Sequence, residues 1–284
     1  MKLGTNDIGS VYLGTNAVQK VYLGVNEVWT SFTGLLDDYP NAAVAYSLRR
    51  LSGAYTGSAM QVRRSSDNTV SNIGFLTNGQ LDTTALLSFV GTGATDDGFI
   101  TEWYDQSGNE RNASQGLALN QPKIVSGGSV ILDNGNPIIT PSNGFEYLVI
   151  NNFNFKNVFY KLFNVLKSDL STNVLLNAGA GYFIVSLQNS TSTTISIASS
   201  NTTSRRNSQT YSFTTRGQLY TDTVDKSLFY IRSQIVINPP CNLGYYDGNT
   251  AINMFSKSEF IVYPDSQTNV EGIETNINEF YNIY

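Results

Sequence analysis

From Phe99 to Tyr263 the sequence breaks into short runs rich in β-branched and aromatic residues, closed by Gly, Asn, Asp or Ser. The runs are Phe99–Tyr104, Lys123–Val125, Val130–Leu132, Asn157–Leu166, Val174–Leu176, Tyr182–Leu187, Thr194–Ala198, Thr210–Thr215, Gln218–Thr223, Lys226–Ile231, Ala251–Phe255 and Phe260–Tyr263. None sustains a helical period, and their length and spacing suit antiparallel strands stacked in two sheets. Ala59–Arg64 and Thr69–Phe75 add a hairpin across the turn Ser65-Ser66-Asp67-Asn68. Three helices are expected: Ala42–Leu51 behind Asn41, Thr83–Val90 behind Asp82, and an amphipathic tail within Ser266–Tyr284. No Pro/Gly-rich linker interrupts the later chain, so residues 31–284 read as one domain.

The first thirty residues repeat with a period of about ten, and Leu-Gly-x-Asn recurs at Leu3, Leu13 and Leu23. Such a period is a β unit, with strands Ile8–Leu13 and Val18–Leu23 and turns Gly14–Ala17 and Gly24–Glu27. A meander of this size cannot bury its apolar face against itself. Val11, Leu13, Val21, Tyr22, Leu23, Val28 and Trp29 are therefore expected to form one half of an interface in a separate segment, residues 1–30. Its cover would come from the downstream domain, from sister chains or from another protein.

Composition removes several chemistries. The 284 residues contain no histidine and one cysteine, Cys241, which excludes Ser-His-Asp triads, Cys-His pairs, His-type zinc sites and an internal disulfide. A net charge of -5 without a Lys/Arg block offers little for phosphate neutralisation, so nucleic acid is not an expected partner. The start MKLGTND has no apolar h-region and no later run is long enough for a membrane span, so cytosolic synthesis without membrane insertion is expected. No cofactor is expected, apart from Ca²⁺ as an option at the acid pairs Asp37–Asp38 and Asp96–Asp97, which lack EF-hand spacing.

Three stretches carry a resemblance: AYSLRRLSGAYTGSAMQVRRSSDNTVSNIGF (45–75), FITEWYDQSGNERNASQ (99–115) and SEFIVYPDSQTNVEGIETNINEFYNIY (258–284). They resemble the concanavalin A-like, laminin-G-like jelly-roll sandwich, and more narrowly the α-L-arabinofuranosidase B catalytic domain. The resemblance implies an all-β sandwich with a few short helices and a C-terminal helix. Tyr104-Asp105-Gln106-Ser107-Gly108-Asn109 is its strongest motif, and reads physically as a turn held by Asp and Asn side chains. By position, Asp247 in Leu243-Gly244-Tyr245-Tyr246-Asp247-Gly248-Asn249 matches the acid/base Asp that the resemblance implies. The nucleophile Glu would fall in roughly 179–207, which holds no Asp or Glu, and the adjacent cysteine pair is missing. A retaining glycosidase needs two carboxylates, so no hydrolysis is expected.

The opening repeats are similar to attachment segments of tailed-phage virion proteins, including those of crAss-like phages of Bacteroidota. That resemblance implies a non-enzymatic virion protein, such as a head fibre, capsid decoration or tail-associated fibre. It would contact other capsid or tail proteins, assemble as a homo-oligomer with a trimer favoured, and reside in the virion. The alternatives are a carbohydrate-binding module for host surface glycans, using Trp103, Tyr245, Tyr246 and Asp247, and an active arabinofuranosidase.

Overall fold

Along the strand Ser256–Pro264, alternate side chains serve two different cores. Phe260 and Val262 face one apolar cluster, whereas Ile261 and Tyr263 face another. A strand buried on both faces must lie inside a layered structure, and this one lies between Phe155–Lys167 and Val44–Ser47 in a six-stranded antiparallel sheet. Its other members are Ser227–Ile237, Thr203–Arg206 and Gln209–Thr210. The computed structural model describes residues 2–284 apart from 4, 5, 9, 10, 19, 143, 151, 152, 154, 169–171, 179, 180, 188, 189, 192–202, 213, 238–240 and 247–250.

A second, twelve-stranded sheet contains Met60–Arg64, Gly98–Trp103, Lys123–Ser126, Leu148–Ile150, Cys241–Leu243 and Thr172–Ala178, among others. Between the sheets lies the larger core, where Val62, Ile100, Trp103 and Ile150 meet Tyr46, Leu162, Phe229 and Phe260. The outer face of the six-stranded sheet is covered by the C-terminal helix Val270–Tyr281, which buries Ile273, Ile277 and Tyr281 against Phe163, Val165 and Ile261. The layers are sheet, sheet and helix, and the fold is the expected all-β sandwich.

Several local expectations hold for the reasons given. Asp82 caps Thr83–Val90 by accepting the Ala85 N–H at 2.8 Å, and Asn269 caps the last helix by accepting that of Gly272 at 3.0 Å. The hairpin Met60–Arg64/Val70–Ile73 forms around the expected turn.

Others are overturned. Residues 42–51 do not form a helix: Val44–Ser47 is a strand, every residue of it buried, pairing with Glu259–Val262. An unbroken apolar run reads alike as buried helix or buried strand, and Asn41 takes a positive φ of 69° instead of a cap geometry. Gln218–Asp222 lies in a helix, Arg216–Asp222, which Thr223 ends as its C-cap; Thr215 opens it by accepting the Gln218 N–H at 3.0 Å, and Leu219 is buried. Thr194–Ala198 lies outside the described residues.

The repeats also differ from expectation. Each copy is its own hairpin: Val11–Leu13 pairs with Asn16–Val18, and Lys20–Leu23 with Asn26–Thr30. The turns are two residues long, with Gly14 and Gly24 at φ near 64° and 63°, the left-handed region that a tight hairpin requires. Val11 and Val21 are half-buried, while Tyr12, Leu13, Tyr22, Leu23 and Val25 are exposed, Leu13 at 77% and Leu23 at 74%. Val28 and Trp29 lie in the strand Asn26–Thr30.

Candidate functional site

The loop Tyr104–Asn109 leaves the strand Gly98–Trp103 and is organised by one carboxylate. Asp105 Oδ1 accepts the N–H groups of Ala45 at 2.8 Å and Ser107 at 3.0 Å. Its Oδ2 accepts the Ser107 hydroxyl at 2.8 Å and the Arg111 N–H at 3.1 Å. Gln106 extends the bolt: Oε1 accepts the Leu51 N–H at 2.8 Å, and Nε2 donates to the carbonyls of Ser47 and Arg49. The motif ties the end of one sheet to the edge strand of the other. Its carboxylate is committed to structure, as a turn reading of Asp-x-Ser-Gly-Asn implies. A cavity of about 560 Å³ opens beside this loop, lined in part by Asn109, Arg111, Ala43 and Pro264.

Glu102 stands on the same strand, and its Oε1 accepts the Asn112 amide at 2.7 Å. Asn112 in turn accepts the Asp105 N–H at 3.0 Å, so one amide links the Glu102 carboxylate to the Asp105 backbone. Trp103 between them points the other way, fully buried against Tyr46 with ring centroids 5.6 Å apart. Trp103 is a core residue here, not a sugar-facing one; the periodicity of a strand assigns alternate faces but does not say which is wet.

Asp247 lies outside the described residues, but its frame is defined. Cys241–Leu243 pairs with Leu148–Ile150, and Tyr245–Tyr246 pairs with Ala251–Ile252, which closes the segment that holds Asp247. Gly244 opens it at φ 97°, where an added Cβ would sit 3.1 Å from the Met254 nitrogen and 3.2 Å from the Glu146 carbonyl oxygen. Only glycine fits that corner. The neighbouring loop is shaped by Glu146, fully buried, whose oxygens accept the N–H groups of Ser142, Gly144 and Phe145 and the Ser142 hydroxyl. Sequence reasoning missed Glu146, because nothing in SNGFEY marks an acid that folds its own loop around itself.

Cys241, beside this frame, is fully buried, and burial pushes its thiol well above the ordinary range, so it is not a nucleophile. At the acid pairs, Asp37 accepts from Gly34 N, Ser52 Oγ and Gly53 N, Asp96 from Gly93 N, and Asp97 pairs with Lys123 at 2.6 Å. Among the described residues no three acidic, His or Cys side chains gather as a metal site. No helix of the described chain is long and apolar enough to cross a membrane.

The fold is an all-β sandwich, and comparison with known proteins shows what the chain is similar to. The family model of the α-L-arabinofuranosidase B catalytic domain matches residues 37–134, about a third of the chain. Among solved structures, a Glu-to-Gln mutant of a GH54 α-L-arabinofuranosidase soaked with 4-nitrophenyl α-L-arabinofuranoside superposes with a TM-score of 0.50 at 18% identity, covering 84% of this chain and 63% of that one. An arabinofuranosidase complexed with arabinofuranosyl-α-1,2-xylobiose gives 0.49 at 17% identity, covering 84% and 62%. The chain thus spans less than two thirds of the length of these enzymes. No curated protein matches.

These findings correct two expectations. The family model that matches describes a catalytic domain and not a phage virion protein, so the fibre or decoration role is withdrawn. The expectation of a non-enzyme falls with it, because the matching family model is that of a catalytic domain, although the stretch 179–207 holds no Asp or Glu.

Proposed function

We propose that this chain is an α-L-arabinofuranosidase-type glycosidase domain acting on α-L-arabinofuranosides. The observation that carries the reading is the match of residues 37–134 to the catalytic-domain model, over the segment that builds Val44–Ser47, the Asp105 loop and the central strands of the larger sheet. Asp247 is the proposed acid/base, held in a segment whose ends are paired in the sheet and whose entry is fixed by Gly244. Protonation of a leaving oxygen by such a group typically accounts for about 10²–10⁴-fold of rate.

A retaining or inverting mechanism needs a second carboxylate. Asp105, Glu146 and Glu259 are poor choices, because their oxygens are taken up by protein donors. An Asp/Glu-to-amide scan of the folded chain is expected to find two positions, Asp247 and one other, whose loss abolishes turnover. The reading is tested with a panel of 4-nitrophenyl glycosides. Selective release from the α-L-arabinofuranoside supports it; a folded chain that binds arabinose yet cleaves none of the panel overturns it.

A further inference from the structure

The inner face of the six-stranded sheet holds two polar side chains that the fold does not explain. Lys257 lies opposite Leu166, and Asn164 lies opposite Phe260. Leu166 and Phe260 both belong to the core between the sheets, so Lys257 and Asn164 face that core as well. They are diagonal neighbours, about 7–8 Å apart in an ordinary ladder. Both are 0% exposed, and neither Lys257 Nζ nor either amide atom of Asn164 has a hydrogen-bond partner. Leaving such groups unpaired in a core is costly, the more so when the group is charged.

The backbone keeps Lys257 from swinging out. Its N–H donates to Ile139 and its carbonyl accepts from Ile139, both at 2.9 Å. The register with Phe155–Lys167 slips between Val165 and Leu166, so an extra residue bulges the ladder beside it. This end of the sheet is therefore tied by a bridge but weakened by a bulge.

Among the described residues no counter-charge faces the amine. On its own strand, Glu259 belongs to the opposite face and is held by Arg49 and Ser47. On Phe155–Lys167, Lys161 reaches Asp265 and Lys167 lies 3.5 Å from Asp133, both away from the inner core. The segment around Ile139 offers Ile138 and Thr140, neither charged. Along the inner face, Arg206 lies opposite Phe229 and donates to Ser227 Oγ, beyond Leu166. The opposing sheet contributes the un-ionised thiol of Cys241. What stands over the amine is the Phe255 ring, its centroid 5.3 Å from Nζ.

We propose that Lys257 is a proton-controlled latch between Phe155–Lys167 and Ser256–Pro264: uncharged, it lets the core close over it and Asn164; charged, it drives this end of the sheet to open towards water. Burial pushes the Lys257 amine down to about 7, against an ordinary value near 10.4. Opening therefore takes up a proton between those values. The closed form is fully stabilised above about pH 10.5, loses that stability as pH falls towards 7, and changes little below. Within the window the opening equilibrium should rise about tenfold per pH unit of acidification. The latch lies just past Met254, the end of the strand that closes the Asp247 segment, and it does not depend on the chain being a glycosidase.

The test is hydrogen exchange of the full chain by mass spectrometry from about pH 6 to 9, corrected for intrinsic rates, with wild type, Lys257→Met and Lys257→Arg. Wild-type protection in 158–167 and 256–264 should fall steeply from pH 9 towards 7, while the hairpin Met60–Arg64/Val70–Ile73 stays level. Lys257→Met should remain protected throughout. Lys257→Arg should be open at every pH or fail to fold, either of which agrees with a required neutral side chain. A Lys257→Met profile that tracks wild type, or an equal loss in the hairpin, overturns the proposal.

Discussion

Arg49 Nε lies 2.8 Å from Glu259 Oε2, and Arg49 Nη2 lies 3.1 Å from Oε1, a bidentate ion pair with both side chains almost wholly buried. The same carboxylate accepts the Ser47 hydroxyl at 2.7 Å, and Arg49 reaches Asn276 at 3.0 Å on the C-terminal helix. Burial alone would pull the guanidinium down, but Glu259 outweighs it and holds Arg49 above its ordinary value. The pair joins Val44–Ser47, Ser256–Pro264 and the helix, where the outer core needs a polar lock.

Breaking one half should cost far more than removing both. Glu259→Leu is expected to lose about 3–5 kcal/mol of unfolding free energy, because Arg49 is left buried and unpaired. Combining it with Arg49→Met should recover much of that loss. Urea titrations of the two single variants and the double variant measure the coupling.

Asp105→Asn replaces one pair of acceptor lone pairs with an amide that faces donors. A loss of about 1–3 kcal/mol is expected, with no loss of turnover per folded molecule, since all four contacts of the carboxylate are structural. Thermal melting set beside activity at a temperature where the variant is folded separates the two effects.

Tyr46, Tyr263 and Tyr281 are raised above the ordinary phenol range, chiefly by burial and then by nearby acids. Their folded forms keep protons that the unfolded chain releases above about pH 10, so stability is complete below that value and falls as pH rises past it. Tyrosinate absorbance and circular dichroism recorded together should show these phenols ionising only as the sandwich unfolds.

Deleting residues 1–30 should leave the thermal midpoint of the sandwich nearly unchanged, because the hairpins Val11–Val18 and Lys20–Thr30 are two-stranded sheets of their own with exposed Tyr and Leu at their tips. Sedimentation of the full and truncated chains tests the oligomer expected from the repeats. Assembly lost on truncation assigns it to these tips, and a monomer in both forms removes it.

What the sequence made legible follows from periodicity and capping. The Asp82 cap and the Ile273/Ile277/Tyr281 stripe each have one structural solution, and the chain adopts it. Val44–Ser47 was not legible, since only its pairing with Ser256–Pro264, remote in sequence, selects strand over helix. The Asp105 turn could be read because its bonds are largely local. Trp103 could not be placed, as an aromatic suits a sugar platform and a sandwich core equally well until the second sheet covers it. The buried Lys257 and Asn164 left no mark at all, because lysine and asparagine in a strand ordinarily read as a wet face.

The most direct test of the account compares 4-nitrophenol release from 4-nitrophenyl α-L-arabinofuranoside by the wild-type chain and by Asp247→Asn, each verified as folded. Measurable release by the wild type and a fall of about 10²–10⁴-fold in the variant are expected. Equal release by the two proteins, or none from either, would contradict the account.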